Sequence, residues 1–495
     1  MRNGLVRVGP SMTTSPPTIT RASVGLRSER GPILLAVMLA TGLVAIDSTI
    51  LATAVPAVVD DLGGFTQFPW LFSVYLLATA VSVPVFSKLA DLYGRKVVML
   101  CGVGLFVVGS LLCGIAWGMT SLIAFRAIQG LGAGAVQPIG VTIMGDIYSL
   151  RERAKVQGYI ASVWAAASLV GPTLGGIFSD YLSWRWIFFV NLPLGLAAFW
   201  MLWRNFDESV SRTRHRIDVA GAALLALGGV ALLLGLLEGG VRWDWTSAPS
   251  LGLFAAAVVL LAAFAVVELR AVEPMLPLWI FGRRVIASAS IGSLVVGVLM
   301  LGLSSYVPLY AQVVLGHGAL TSGLALAAMT IGWPIAATTS GRFYLSIGFR
   351  ATMLMGAAFA VAGAALLLSV DRSSSIWHLA LPAFVMGIGF GYVASPSVIA
   401  AQSSVAWEHR GVATGATLFA RSVGSAVGVA AFGAVANSVV ASRIGGAVPD
   451  LEHLSPGVLA PAIEAVFWGS AVVSVLLVVA GLVMPRHVGE AATDQ

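Results

Sequence analysis

Charged residues are scarce in this chain of 495 residues: Asp, Glu, Lys and Arg together make up 10%, where soluble globular proteins have about a quarter. Hydrophobic residues make up 58%, which excludes a soluble globular domain. The two cysteines, Cys101 and Cys113, share one apolar run, so a disulfide framework and a cysteine-based metal site are excluded. The six histidines are scattered singly without metal-ligand spacing, so a metalloenzyme is not expected. The composition predicts an integral membrane protein.

Long apolar runs are what the chain has in abundance. A helix needs about 17 to 25 such residues to cross a bilayer core, and fourteen runs meet this length. The eighth is the shortest. The predicted spans are 33–55, 70–89, 97–117, 122–144, 158–178, 186–203, 219–237, 251–267, 285–306, 320–340, 351–370, 377–400, 412–435 and 462–484.

The distribution of basic residues predicts the orientation. If the N-terminus is cytoplasmic, 22 of the 28 Lys and Arg residues fall on the cytoplasmic side, four fall outside, and Arg126 and Arg421 lie within spans. Residues 1–32 are then a disordered cytoplasmic tail rather than a cleaved signal peptide, with Met12 as an alternative start. A basic cytoplasmic loop at 204–218 and a cytoplasmic tail at 485–495 complete this side. The positive net charge is thus an orientation signal, and no nucleic-acid partner is expected.

The chain repeats itself at an offset of 257 residues. Gly130, Gly132 and Gly134 match Gly387, Gly389 and Gly391, and Arg153 matches Arg410. Parallel repeats of this kind are typical of transporters built from two related bundles, with the substrate site between them. The offset equates the fourth and fifth spans with the twelfth and thirteenth. The sequence therefore predicts six-helix bundles at 33–203 and 285–484, separated by a two-helix insert at 219–270.

A charged loop follows the second span. Residues 87–96, SKLADLYGRK, resemble the G-x-L-a-D-r-x-G-r-k loop of the major facilitator superfamily, with Ser87 in place of the first Gly. Gly94 permits a tight turn, and Asp91 is placed to cap a helix or to pair with Arg95. We expect Asp91, Gly94, Arg95, Lys96 and Arg153 to form a cytoplasmic gate that latches the outward-facing state. The alternative is a charged loop that only sets the orientation.

Two ionisable residues lie deep in apolar spans. Asp47 is the one carboxylate well inside a span, and we expect it to carry protons; the alternative is a buried acid satisfied by a neighbouring helix. Arg126 lies in a string, 122–130, that resembles the l-x-x-x-R-x-x-q-G motif of the same superfamily. An arginine at this depth costs a few kcal/mol unless it faces a partner or a wet cavity, so Arg126 is either a proton-relay element or a structural ion-pair anchor. Glu238, Glu464 and Arg421 are secondary candidates.

The fifth span contains Gly171, Pro172, Gly175 and Gly176 in the string GPTLGG. It is similar to the G-P-x-x-G-G signature of the antiporter branches of the superfamily. Proline removes a backbone donor and the glycines let another helix approach, so we expect a kinked, tightly packed contact here.

Three further strings narrow the resemblance. Residues 45–56, 183–195 and 410–424 resemble those of the fourteen-helix drug:proton antiporters of the QacA and EmrB type, although Ile replaces Leu and Ala-Thr replaces Val-Asn in the first. The resemblance implies an all-α integral membrane protein with the major facilitator fold and fourteen transmembrane helices. It also implies a monomer in the lipid bilayer of a bacterial inner membrane.

Proton-coupled efflux of small hydrophobic or cationic compounds is the function that the resemblance implies, with the proton gradient as energy source and no cofactor. Export of a lipid or glycolipid by the same fold is the alternative. Proton-coupled nutrient import is disfavoured by the Gly171-Pro172 signature. An enzyme is not expected, because no cluster of His or acidic residues occupies an interfacial loop.

Overall fold

The computed structural model describes residues 24–63, 67, 69–208, 218–240, 242–271, 274, 276, 278–444 and 455–488. Most of the predicted tail at 1–32, most of the basic loop at 204–218 and most of the tail at 485–495 lie outside the described residues. Within them, the long elements are fourteen α-helices: α1 (Gly31–Leu62), α2 (Pro69–Tyr93), α3 (Arg95–Gly114), α4 (Met119–Ile147), α5 (Leu150–Tyr181), α6 (Asn191–Asn205), α7 (Val219–Glu238), α8 (Ala248–Glu268), α9 (Arg284–Leu309), α10 (Ala319–Ser346), α11 (Gly348–Leu367), α12 (Ile376–Ser403), α13 (Arg410–Ile444) and α14 (Pro456–Val483).

A helix lies at each predicted span, but the count of fourteen transmembrane helices is not confirmed. In the described part of the chain, thirteen helices are long and apolar enough to cross a membrane. The helix outside this set is α10, in which Ser, Thr and Gly interrupt the apolar residues. The sixth span is also divided, because a single helical turn (Trp186–Phe189) precedes α6.

Local sequence signals explain several helix boundaries. Gly94 has φ +93° between α2 and α3, a conformation that side chains with a Cβ rarely adopt. Gly348 has φ +85° between α10 and α11, the corresponding turn of the second half. The N-terminus of α5 is a capping box: the Ser149 hydroxyl accepts from the Glu152 N–H, and the Glu152 carboxylate accepts from the Ser149 N–H at 2.9 Å.

The two halves pack their repeated glycines in the same way. A Cβ at Gly130 would lie 2.7 Å from the Tyr75 carbonyl oxygen on α2, and one at Gly132 would lie 2.5 Å from the Phe106 nitrogen on α3. In the second half, Gly387 approaches the carbonyl of Met329 on α10, and a Cβ at Gly389 would lie 2.5 Å from the Ala360 nitrogen on α11. Because both halves bring the same three helices into backbone contact, we propose the division into bundles at 33–203 and 285–484.

The predicted insert is a pair of helices that touches both halves. α7 and α8 pack against each other, and α7 also contacts α2 and α13. Leu233 of α7 lies in one apolar cluster with Val81 of α2 and Ala426 of α13. The insert therefore bridges the seam between the proposed bundles on one side of the molecule.

Candidate functional site

Asp47 and Arg126, the two ionisable residues expected to take part in proton coupling, meet in a buried ion pair. The Arg126 Nη1 donates to Asp47 Oδ2 at 2.6 Å, and both residues are about 1% exposed. The guanidinium also donates from Nε to the Leu71 carbonyl at 3.2 Å and lies over the Tyr75 ring at 4.0 Å. Such a pair is costly to separate, because removing one charge leaves the other buried and uncompensated.

Polar side chains that the sequence did not single out complete this network. Gln129 accepts from Arg126 at 2.7 Å and donates to Asp47 Oδ1 at 2.8 Å, so it touches both charges. Asn191 donates to the same Asp47 oxygen at 3.4 Å, and Ser110 accepts from Gln129 at 2.7 Å. We call Asp47, Ser110, Arg126, Gln129 and Asn191 the buried network. The contact between Gln129 and Arg126 could have been predicted from the sequence, because Gln129 follows Arg126 by three residues and therefore lies on the same helix face.

A corner at the start of α6 places Asn191 in this network. Trp184 and Arg185 both donate to Asp61 Oδ2 near the end of α1, at 3.0 Å and 2.6 Å. The one-turn helix Trp186–Phe189 then leads into α6, whose first residue is Asn191. The string at 183–195 thus fixes α6 against α1 and directs an amide toward Asp47.

The loop between α2 and α3 binds the N-terminus of α13, which belongs to the other half. Asp91 Oδ1 accepts from the Gly411 N–H at 3.0 Å, and Asp91 Oδ2 accepts from the Val412 N–H at 2.8 Å. Arg95 pairs with Asp91 at 2.8 Å and donates to the Trp407 carbonyl at 2.8 Å. Asp91 therefore caps the N-terminus of α13 and also pairs with Arg95. The Gly411 N–H that it caps is 320 residues further along the chain.

A second ion pair joins the halves beside this contact. Asp146, at the end of α4, accepts a hydrogen bond from Arg410 Nη1 at 3.0 Å and forms an ion pair with Arg95, whose Nε lies 3.0 Å from the carboxylate. From its position in the sequence, Asp146 is an acid near a helix end, where water satisfies a carboxylate, and the sequence predicts a structural role for it. We call Asp91, Arg95, Asp146 and Arg410, with the N–H groups of Gly411 and Val412, the inter-bundle latch.

Two residues of the expected gate lie beside the latch. Lys96 pairs with the exposed Asp207 at 3.0 Å, and its N–H donates to Glu208. Burial raises the pKa of the Glu208 carboxyl. Arg153 donates to the carbonyls of Tyr148 and Gly145 in its own half. Its repeat counterpart, Arg410, pairs with Asp146 of the first half.

The pseudo-symmetric position carries an apolar contact instead of a charged one. On α10, Gly341 approaches Ala154 of α5, and the Tyr344 hydroxyl donates to the Leu150 carbonyl at 3.4 Å. No carboxylate occupies this interface in the described residues. All hydrogen bonds that join the two halves within the described ranges lie toward this same end of the molecule, so the seam is closed at the end that carries the α2–α3 loop.

A cavity of about 370 Å³ lies between the halves, next to this closed end. Helices of both halves and Leu233 of the insert line it. Most of the lining is apolar, with Trp164 and Trp333 as its largest aromatic groups. We call it the central cavity. Asp47 does not line it, so the buried network and the cavity are separate sites that share α1 and α4.

The glycines of the fifth-span motif have unequal surroundings. Gly171 lies against Thr49 of α1, whose hydroxyl donates to the Ala167 carbonyl at 3.0 Å; a Cβ at Gly171 would also lie 3.2 Å from the Ile50 nitrogen. Gly175 is buried, whereas a Cβ at Gly176 would have no atom of the described residues within 4 Å. Among the described residues, Gly176 therefore lies on a face of α5 without a close neighbour, and the expected close contact is not made there. The side chain of Pro172 lies outside the described residues.

We expect Gly171→Ala to destabilise the protein and Gly176→Ala to leave its stability unchanged or slightly raised. The first adds a methyl group where α1 has no room, which costs about 1 to 3 kcal/mol. The second adds a methyl group in open space and removes a helix-interior glycine, which favours the helix by up to about 1 kcal/mol. The measurement is the thermal unfolding midpoint of each purified variant in detergent. Equal midpoints for the two variants would show that Gly171 does not set the α1–α5 approach.

The secondary candidates are not part of the buried network. Glu238 ends α7 and Glu464 lies on α14, and neither hydrogen-bonds to the network in the described part of the chain. Arg421 lies on α13 and lines the central cavity.

Comparison with known proteins places the chain among transporters. Residues 37–429 match the family model of the Major Facilitator Superfamily. The chain is 35% identical over 412 residues to Multidrug resistance protein 3 of Bacillus subtilis (strain 168), covering 83% of this chain and 80% of that protein. It is also 35% identical over 416 residues to the Multidrug transporter protein MdtP of the same organism, covering 84% and 76%. The crystal structure of the human organic anion transporter MFSD10 has the same fold, with a TM-score of 0.62 at 16% identity, over 92% of this chain and 99% of that chain.

Proposed function

The chain belongs to the Major Facilitator Superfamily, and from this premise we propose that it is a proton-coupled exporter of amphipathic compounds. It is a multi-pass membrane transporter rather than an enzyme. The names of its Bacillus relatives, a multidrug resistance protein and a multidrug transporter, support efflux of drug-like compounds.

The observation that carries the proposal is the central cavity between two halves whose described hydrogen bonds and ion pairs to each other lie toward one end. A site at the seam of two bundles opens to either side of the membrane when the bundles rock against each other. In this conformation the latch closes the α2–α3 end. An apolar wall with a few polar groups suits an amphipathic molecule.

The buried network supports proton coupling. When Asp47 is ionised, it compensates Arg126; when it is protonated, Arg126 keeps only neutral acceptors and the Tyr75 ring. The two protonation states therefore favour different positions of α1 relative to α4. Both helices also line the central cavity, so a change in the network moves its walls.

The proposed location is the inner membrane of a bacterium, with both termini and the latch on the cytoplasmic side. The asymmetry of the basic residues supports this orientation. The latch then closes the cytoplasmic end, and the cavity is loaded from or emptied to the exterior. We propose that the transporter works as a monomer, since each half supplies part of the cavity and of the latch.

Export of a lipid or glycolipid is the second candidate. The apolar lining of the cavity and the contribution of Leu233 from the insert favour a molecule with a long apolar body. The two candidates differ in cargo and share the mechanism.

Transport by the purified protein in liposomes with an imposed pH gradient tests the proposal. The panel contains a cationic dye, a neutral antibiotic, an amphipathic carboxylate and a fluorescent phospholipid. We expect uphill movement of at least one of the first three compounds, with counterflow of protons, and its loss when a protonophore is added. Transport at the same rate with and without the pH gradient would contradict proton coupling. Movement of the phospholipid alone would favour the second candidate.

A further inference from the structure

One arginine in the central cavity has no partner among the described residues. Arg421 lies on α13 and lines the cavity, and in the described part of the chain its side chain makes no hydrogen bond, ion pair or ring contact. The other arginine within a predicted span behaves differently, because Arg126 is held by Asp47. Arg95, in the latch, is likewise held by Asp91 and Asp146. A guanidinium carries five N–H donors and stays charged, so one that faces an apolar cavity needs an acceptor from elsewhere.

The described walls of the cavity offer no negatively charged acceptor for this guanidinium. The lining contains Arg153 and Arg421, and no Asp or Glu lies among the described lining residues. The polar groups nearest to Arg421 along α13 are the hydroxyls of Ser422 and Ser425, which are neutral. The charges among the described lining residues are thus positive, and a cationic cargo would approach the guanidinium of Arg421 against like charge.

We propose that the central cavity binds the anionic head group of an amphipathic cargo, such as a carboxylate, sulfonate or phosphate, with Arg421 as its counter-ion. This proposal rests on the proposed function and specifies the charge of the exported compound, which the sequence led us to expect as hydrophobic or cationic. Arginine suits this role, because its planar fork binds carboxylate and phosphate through two parallel hydrogen bonds.

The rest of the cavity accommodates the apolar part of the cargo. Trp164 of α5 and Trp333 of α10 lie in the same lining, and they present large apolar surface. An ion pair at Arg421 fixes one end of the cargo, and the aromatic and aliphatic walls accept tails of varied shape. The charge of the head group thus determines which compounds bind, and the site accepts cargo with different apolar tails.

The test uses three radiolabelled ligands that differ only in the head group: an alkylbenzoate, the matching alkylbenzamide and the matching alkylbenzylammonium. Binding to the purified full-length protein in a nonionic detergent is measured by equilibrium dialysis. We expect the benzoate to bind at least about tenfold more tightly than the benzamide, and the ammonium compound to bind most weakly. Equal binding of all three, tighter binding of the ammonium compound, or binding of none would overturn the proposal.

Variants of Arg421 identify the counter-ion. Arg421→Gln should reduce benzoate binding to the level of the benzamide while leaving benzamide binding unchanged, which also shows that the cavity is intact. Arg421→Lys should keep part of the preference for the benzoate. Arg443→Gln, which changes an exposed arginine on the same helix, should behave as the wild type. Full benzoate preference in Arg421→Gln would overturn the assignment.

Added lipid separates a soluble anion from a lipid head group. If phosphatidylglycerol competes with the benzoate in the wild type and phosphatidylcholine does not, the cargo's anionic group is that of a lipid. If neither lipid competes, the cargo is a soluble amphiphile, and both results support the anionic site. Uphill export without head-group preference would contradict this inference alone, whereas Arg421-dependent binding without uphill export would contradict the proposed function alone.

Discussion

Asp47→Asn is expected to abolish accumulation of substrate against its gradient while leaving binding and downhill exchange in place. Asparagine has the shape of the carboxyl but takes up no proton, so the network stays in one charge state. Arg126 then lacks its counter-ion, a loss that costs about 3 to 5 kcal/mol for a buried pair. Its bonds to Gln129 and to the Leu71 carbonyl remain, so we expect the variant to fold.

Proton counterflow and substrate accumulation are measured together in liposomes with an imposed pH gradient. The matched control is Asp60→Asn, because Asp60 lies on the same helix and is exposed. The control should transport as the wild type does. If Asp47→Asn still concentrates substrate and moves protons normally, the proton carrier lies elsewhere, and Glu238 and Glu464 become the next candidates.

The charge of the cargo sets how much energy one proton supplies. Exchange of one proton for a monovalent cation is electroneutral and supplies about 1.4 kcal/mol per pH unit. A monovalent anion exported against one incoming proton moves two charges in the same electrical sense, which adds about 4.6 kcal/mol per 100 mV. An anionic cargo therefore makes export strongly dependent on the membrane potential.

Gly411→Ala is expected to open the latched end and to slow turnover. A Cβ at this position would lie 2.5 Å from both the Ser87 carbonyl oxygen and Asp91 Oδ1. The backbone of α2 cannot shift as easily as a flexible side chain. The added methyl group therefore moves α13 away from α2 and breaks the hydrogen bonds from the Gly411 and Val412 N–H groups to Asp91. Hydrogen bonds to a charged group contribute about 1.5 to 3 kcal/mol each, enough to shift the population tenfold or more.

A buried single cysteine reports this opening. Thr142 on α4 lies against Thr414 on α13, with their hydroxyls 3.3 Å apart. Thr142→Cys, in a background without Cys101 and Cys113, should react with an impermeant maleimide at least about tenfold faster in Gly411→Ala. Gly433→Ala on the same helix is the control, since its Cβ would have its nearest atom at 3.7 Å. Unchanged labelling in Gly411→Ala would show that this contact does not hold the end closed.

The local part of the site was predictable from sequence. Asp91 and Arg95 are four residues apart, and Gln129 follows Arg126 by three, so helix geometry alone puts each pair on one face. Hydropathy located a helix at every predicted span, because the bilayer requires a length of apolar residues that a one-dimensional scan detects. The depth of Asp47 and Arg126 in apolar helices predicted that each needs a partner, and they supply it to each other.

The tertiary structure alone decided which distant groups meet. The need of a buried charge for a partner does not name that partner, so nothing in the sequence pointed to Asn191 beside Asp47, or to the Gly411 and Val412 N–H groups beside Asp91. Asp146 looked like an ordinary acid at a helix end, yet it joins arginines from both halves. Gly171 and Gly176 belong to one motif, but of the two only Gly171 closely approaches another helix in the described part of the chain. Arg421, like Arg126, lies within a predicted apolar span. Only the arrangement of helices leaves it facing a cavity without a carboxylate among the described lining residues, because the packing of the two halves determines which side chains share a wall.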